Sequence, residues 1–159
     1  MVDVAFINPF VQATKNVFHT MVFLEVERGK PVLKQYSEHT ADISGAIGLA
    51  GTTHGVTVVA FTEAVACAVS SKMLGEERRE MDETVEDSIG EIANMIAGGA
   101  KGIMTEQGLD FKIALPSVTV GKNHQLSYPD GVPCVVVPFT IPALKAQFHI
   151  EVCLETVTR

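Results

Sequence analysis

The stretch Asp82 to Gly102, DETVEDSIGEIANMIAGGAKG, constrains the fold more than any other part of the chain. Val85, Ile89, Ile92, Ala93, Ile96, Ala100 and Ile103 recur so that, at about 100° per residue, they share one side of a helix. Asp82 or Thr84 offers an N-cap, acidic residues crowd the first turn, and Lys101 with Gly102 marks the end. A helix with so continuous an apolar side has to lie on other elements. Asp87, Glu91, Asn94 and Gly98 are spaced i, i+4, i+7 and i+11 and form a strip about 60° wide on the opposite side. A core has no use for that strip. Asn costs several tenths of a kcal/mol against Ala in a helix interior and Gly about 1 kcal/mol. Gly90, Gly98 and Gly99 in one helix therefore point to close approach by another surface. A merely solvated face would account for a single acid or amide, but not for the glycines.

Around this helix the chain supplies partners for its apolar side. Asn8-Pro9 reads as a helix start, with Pro at the first helical position. Phe10, Ala13, Val17, Met21 and Leu24 carry helical spacing to about Glu27, where Arg28-Gly29-Lys30-Pro31 breaks it. Val32 to Tyr36 reads as a short strand. Ile43 to Gly51 and Val56 to Phe61 read as a hairpin joined through Thr52-Thr53-His54-Gly55. Thr62 caps a helix over Glu63 to Leu74, Gly75 stops it, and the charged run Glu76 to Asp82 is a solvated connector.

Beyond Gly102 the pattern turns to strands. Phe111 to Leu115 and Val118 to Val120 are separated by Pro116, and Tyr128-Pro129-Asp130-Gly131 is a turn. Val132 to Ile141 is a strand for which Pro133, Pro138 and Pro142 predict an edge or a bulge. Phe148, Ile150, Val152 and Leu154 alternate with His149, Glu151, Cys153 and Glu155, which predicts a strand with the second set facing water. If that strand, Phe148 to Val157, lies at an edge, it invites pairing with another chain. The fold class expected is α+β: a mainly antiparallel β-sheet packed against two or three long α-helices, as one domain over residues 1–159. The second half echoes the element order of the first, a weak internal pseudo-repeat.

Composition removes several functions. A hydrophobic content of 47% with 19% charged residues is that of a globular chain. The net charge of −7 and the lack of a basic patch argue against nucleic acid and anionic membrane as partners. No apolar run approaches a membrane span and no signal peptide opens the sequence, so a soluble cytoplasmic protein is expected. Cys67, Cys134 and Cys153 are far apart and form no CxxC, which indicates reduced thiols rather than a disulfide framework or a zinc site. Cys67 sits among alanines as a buried apolar residue. His39 and Asp42 lie three apart but have no third ligand nearby, so no metal site is expected. Ser70-Ser71-Lys72 lacks the companion motifs of a Ser-Lys hydrolase, and Gly45-Ala46-Ile47-Gly48 and Gly98-Gly99 are not phosphate loops.

The strip is different. Asp87-x-x-x-Glu91-x-x-Asn94-x-x-x-Gly98, embedded as DSIGEIANMIAGGAK, resembles the motif helix of the chemotaxis phosphatases of the CheC/CheX/FliY family, and in its single copy the CheX type. The opening Ile7-Asn8-Pro9-Phe10, the length and the element order are similar too. The first helix has no Glu-x-x-Asn, and Gln12 and Asn16 do not replace it, so no second site is expected there.

The resemblance implies a protein phosphatase that hydrolyses the aspartyl phosphate of a phosphorylated CheY-like response regulator. It implies Glu91 and Asn94 as catalytic residues: Asn94 enters the partner's active site and Glu91 contacts the partner's lysine. Asp87, Gly90 and Gly98 would shape the partner-binding face. Magnesium would be held by the regulator, with no cofactor or metal of the chain's own, and the protein would be a homodimer. The alternative of another class is a non-catalytic module that binds a response regulator or a flagellar-switch component through the same face.

Overall fold

The computed structural model describes residues 4–51, 53–128 and 131–156. They form an antiparallel β-sheet with three α-helices, the α+β arrangement expected. The chain runs α1 (Val4–Val17), β1 (Glu27–Arg28), β2 (Val32–Leu33), β3 (Ala41–Gly51), β4 (Thr53–Phe61), α2 (Glu63–Leu74) and α3 (Glu83–Glu106). It continues through β5 (Phe111–Ile113), β6 (Ser117–His124), β7 (Cys134–Ile141) and β8 (Ala146–Thr156). No helix among the described residues is long and apolar enough to cross a membrane.

The order across the sheet is β1-β7-β8-β4-β3-β5, with β2 also paired to β7 and β6 also paired to β3. If β1, β2, β3 and β4 are exchanged with β5, β6, β7 and β8, the order reads the same from the other edge. Each set follows one of the long helices, α1 or α3. The weak echo in the sequence is thus a two-fold pseudo-symmetry in the pairing, with β4 and β8 adjacent at its centre.

Helix ends show where local chemistry decides and where burial overrides it. Asp82 caps α3, its Oδ1 accepting the Val85 N–H at 3.0 Å. Thr62 caps α2, and Gly75 ends it in the left-handed region at φ 72°. The first helix starts earlier than Asn8-Pro9 predicts: α1 begins at Val4 and takes Pro9 inside. Ile7 is buried and Phe6 packs against the core, so apolar burial favours the extra turn over the proline stop. After α1 the chain widens into a π-helical turn, Phe18–Val22, and stops at Phe23 with φ 64°, short of Glu27. Helix α3 runs one turn past Gly102, because Met104 is fully buried, and the chain turns at Gly108.

Every residue expected on the apolar side of α3 is buried except Ile103, which is half-buried. Burying Ile89, Ile92 and Ile96 each contributes about 1.5–3 kcal/mol. The helix lies close on the sheet because β3 offers Gly45 beneath it. A Cβ on Gly45 would stand 3.0 Å from the Ala93 Cβ and 3.1 Å from the Ile89 carbonyl oxygen. On the other flank Gly99 lets α1 approach, a Cβ there standing 3.1 Å from the Ala13 Cβ. The Ser70 and Ser88 hydroxyls tie α2 to α3 at 2.8 Å.

Three expectations about the last strands are corrected. Strand β8 is no edge: β4 pairs along one side and β7 along the other. Its second face is also covered, since His149, Glu151 and Cys153 are buried. The chain around Lys34 to His39 and Leu126 to Tyr128 folds back over that face. The buried charge there is compensated: the Lys34 ammonium is 2.7 Å from Glu151 Oε1, off the direction of an aligned hydrogen bond, and His149 Nε2 is 3.3 Å from Oε2. Cys134 and Cys153 face each other across β7 and β8 with Cα atoms 4.1 Å apart and are joined as a disulfide, where reduced thiols were expected. Cys67 is free and buried. Strand β7 tolerates Pro138 because its carbonyl, and hence its missing N–H, faces the short β1–β2 turn, where Gly29 N–H donates to it at 2.6 Å. Of the predicted turn at 128–131, Pro129 and Asp130 lie outside the described residues.

Two predictions follow from this packing. Gly45→Val pushes α3 off β3, and chemical denaturation is expected to show a loss of about 2–3 kcal/mol. The second concerns pH. Burial raises the Glu151 carboxyl, but its contacts with His149 and Lys34 outweigh that and hold it below the usual range. Burial and the neighbouring His149 hold His39 below the usual imidazole range. Unfolded, these groups take up protons near pH 4.3 and 6.5, above where the folded protein does, so both contributions are present at neutral pH and lost on acidification. Urea melts are expected to show stability declining below about pH 6.5 and more steeply below about 4.5. Glu151→Gln should flatten the steeper part and, by leaving Lys34 unpaired, cost about 3 kcal/mol at pH 7.

Candidate active site

The strip predicted from sequence lies on the outer side of α3. Asp87, Glu91 and Gly98 are exposed and Asn94 is half-buried. Among the described residues, the side chains of Asp87, Glu91 and Asn94 make no hydrogen bond or ion pair within the chain. Glu91 and Asn94, one turn apart, project in parallel with Cβ atoms about 5–6 Å apart. Their backbone is in the middle of a 24-residue helix fixed by Gly45, Gly99 and the Ser70–Ser88 bond. The candidate side chains therefore sit on a rod whose position the core determines.

The glycines divide into two kinds. Gly98 has nothing within 4 Å of a notional Cβ, and neither has Gly102, which continues the strip by one more turn. The sequence puts Gly102 at the end of the helix rather than on the strip, although its i+4 spacing from Gly98 is a signal for the strip. Gly90 is buried instead. A Cβ there would meet Val118 Cγ2 at 3.3 Å and the Pro116 ring at 3.9 Å, so the surface that approaches it is the chain's own β6. Gly99 likewise faces α1. Gly98 and Gly102 alone leave the helix backbone bare to an outside surface.

The pseudo-symmetric face on α1 carries different chemistry. Asn8, Gln12, Lys15 and Asn16 line a cleft of about 380 Å³ with Arg28, and no Glu-x-x-Asn is present. A larger cleft of about 470 Å³, lined by Lys34, Ser37, Leu126 and Tyr128, lies on the far face of the sheet. The strip on α3 is a ridge rather than a cleft. Such a shape suits insertion into another protein's active site better than enclosure of a small molecule.

Other polar residues have structural employment. Asp42 accepts the Glu63 N–H at 2.7 Å and the Asn123 N–H at 3.1 Å, bonds that hold its carboxyl below the usual range. His39 is bonded to Ser37 Oγ at 2.8 Å and sits against the His149 ring. Among the described residues no group of three or more His, Cys, Asp or Glu is placed to hold a metal ion.

Comparison with known proteins gives this geometry its relatives. The family model described as chemotaxis phosphatase CheX matches residues 43–140, more than half of the chain. A CheC-like superfamily protein from Shewanella sp. PV-4 is 37% identical over 97% of this chain and 99% of its own, with a TM-score of 0.89. The chemotaxis protein CheX from Vibrio vulnificus is 38% identical over 95% and 99%, with a TM-score of 0.88. The Borrelia burgdorferi CheX, solved as a CheX–CheY–BeF3–Mg2+ complex, is 28% identical over 98% and 99%, with a TM-score of 0.83. No curated protein sequence matches the chain.

The two kinds of glycine respond differently to a methyl group. Gly98→Ala points into open space and is expected to stabilise by about 1 kcal/mol, raising the melting temperature by about 2–4 °C. Gly90→Ala must displace Val118 and is expected to fall short of that gain in the same calorimetric measurement.

Proposed function

The chain belongs to the CheX family of chemotaxis phosphatases, and from that premise we propose that it hydrolyses the aspartyl phosphate of a phosphorylated CheY-like response regulator. The observation that carries the reading is the unpartnered Glu91–Asn94 pair on a rigid, bare-flanked helix ridge. The Borrelia complex supports it, since a relative of the same fold binds CheY.

The residue types suit the reaction. An acyl phosphate is already activated, and what its hydrolysis lacks is a water held in line with the leaving carboxylate oxygen. Phosphoryl transfer is loose and asks little of a base early on, so positioning contributes more than proton abstraction. The Asn94 amide oxygen accepts a hydrogen bond from that water, and its NH2 donates elsewhere. Being neutral, it adds no repulsion beside the phosphoryl oxygens, as a carboxylate would. The water attacks phosphorus, the P–O bond to the aspartyl carboxylate breaks, and inorganic phosphate leaves. Glu91 makes a charge-assisted contact with the lysine of the regulator's active site and fixes the register of the helix. Asp87 and Gly98 shape the approach. Magnesium, held by the regulator, supplies charge neutralisation at the phosphoryl group. A partner of this kind works in the cytoplasm. Homodimerisation rests on the family resemblance alone, since β8 offers no free edge.

Phosphate release from a phosphorylated receiver domain tests the proposal. Asn94→Ala is expected to slow release by about 100-fold while still binding a beryllofluoride-loaded receiver. Glu91→Ala should weaken both binding and turnover. Near-normal turnover by Asn94→Ala ends the water-positioning role, and binding without release by the wild type assigns the face to docking alone.

A further inference from the structure

We infer that Leu115 is an apolar docking residue that sets the affinity of the α3 face for its receiver domain; the inference rests on the phosphatase reading above. Strands β5 and β6 lie end to end along the same side of β3, and the chain between them kinks at Leu115-Pro116. The kink is anchored at its start by the Ala114 N–H, which donates to the Gly48 carbonyl at 2.9 Å. On its far side Pro116 and Val118 pack against Gly90, on the turn of α3 that carries Asp87, Glu91 and Asn94. Leu115, whose Cα is about 3.8 Å from that of Pro116, thus stands beside the strip at a fixed place. It is 90% exposed, more than any other large apolar side chain among the described residues.

A lone exposed leucine is ordinary. Two observations set this one apart. The first is its seat: a helix-interior glycine, costly by about 1 kcal/mol, allows the kink to lie against the ridge. The second is charge. The chain carries −7 overall, and Glu83, Asp87 and Glu91 are exposed along α3. With the Asn94 amide, these acids leave the strip with polar contacts only. A protruding leucine at the rim of a polar strip supplies apolar area that the strip lacks. The occupant is accordingly the receiver domain that Asn94 serves, contacted through an apolar patch next to its phosphorylation site.

Steady-state phosphate release and a binding titration with a beryllofluoride-loaded receiver test this together, on wild type, Leu115→Ser, Leu115→Met and Asn94→Ala. Leu115→Ser is expected to raise KM and the dissociation constant by about fivefold or more with kcat unchanged, and Leu115→Met to restore both. Thermal melts should be unaltered, because the side chain lies outside the core. Unchanged KM and binding in Leu115→Ser, with Asn94→Ala inactive, overturns the docking role and leaves the phosphatase reading standing. A fall in kcat at constant KM overturns it too. Absence of phosphate release by the wild type removes the reading and this inference with it.

Discussion

The close approach of α3 to the sheet at Gly45 governs the rest of the structure. With hydrogen at that position, the Ile89 and Ala93 turn of the helix settles directly on β3. The apolar side of α3, Val85 to Met104, then fills the space between sheet and helices, and Gly99 lets α1 close on its flank. Side chains on the opposite side inherit that fixed depth and rotation. Glu91 and Asn94 need no bonds of their own to be held in place, which leaves their polar atoms available to another molecule.

Most of this was legible because helix periodicity and capping are local. Asp82, Thr62 and Gly75 act within one turn, and the apolar repeat in α3 needs only the sequence that contains it. The same locality explains what was not legible. Whether Gly90 faces a partner or the chain's own β6 depends on where Pro116 returns, 26 residues later, and no periodicity carries that. The start of α1 was misplaced because Pro9 is a strong local stop, overridden by burial of Phe6 and Ile7 on elements distant in sequence.

Strand β8 shows the limit of the alternation rule. Phe148, Ile150, Val152 and Leu154 do face the helices, as the pattern says. The pattern cannot say that a second layer covers the other face, because it records polarity, and polar residues survive burial when they are paired. Glu151 is matched by Lys34 and His149, and Cys153 by Cys134. The partners lie on separate segments, so the compensation becomes visible only in register. The same layer raises the Tyr128 phenol, through burial and the nearby Glu151 charge.

The strand order that reads alike from both edges has a consequence for stoichiometry. A two-fold related scaffold presents two comparable rods on one side of the sheet, and each could in principle serve a client. In this chain one rod bears the acid and amide, while its counterpart bears Gln12, Lys15 and Asn16 beside Arg28. On the proposed reading, each polypeptide engages a single signalling partner at a time, and the duplicated geometry is armed on one half only.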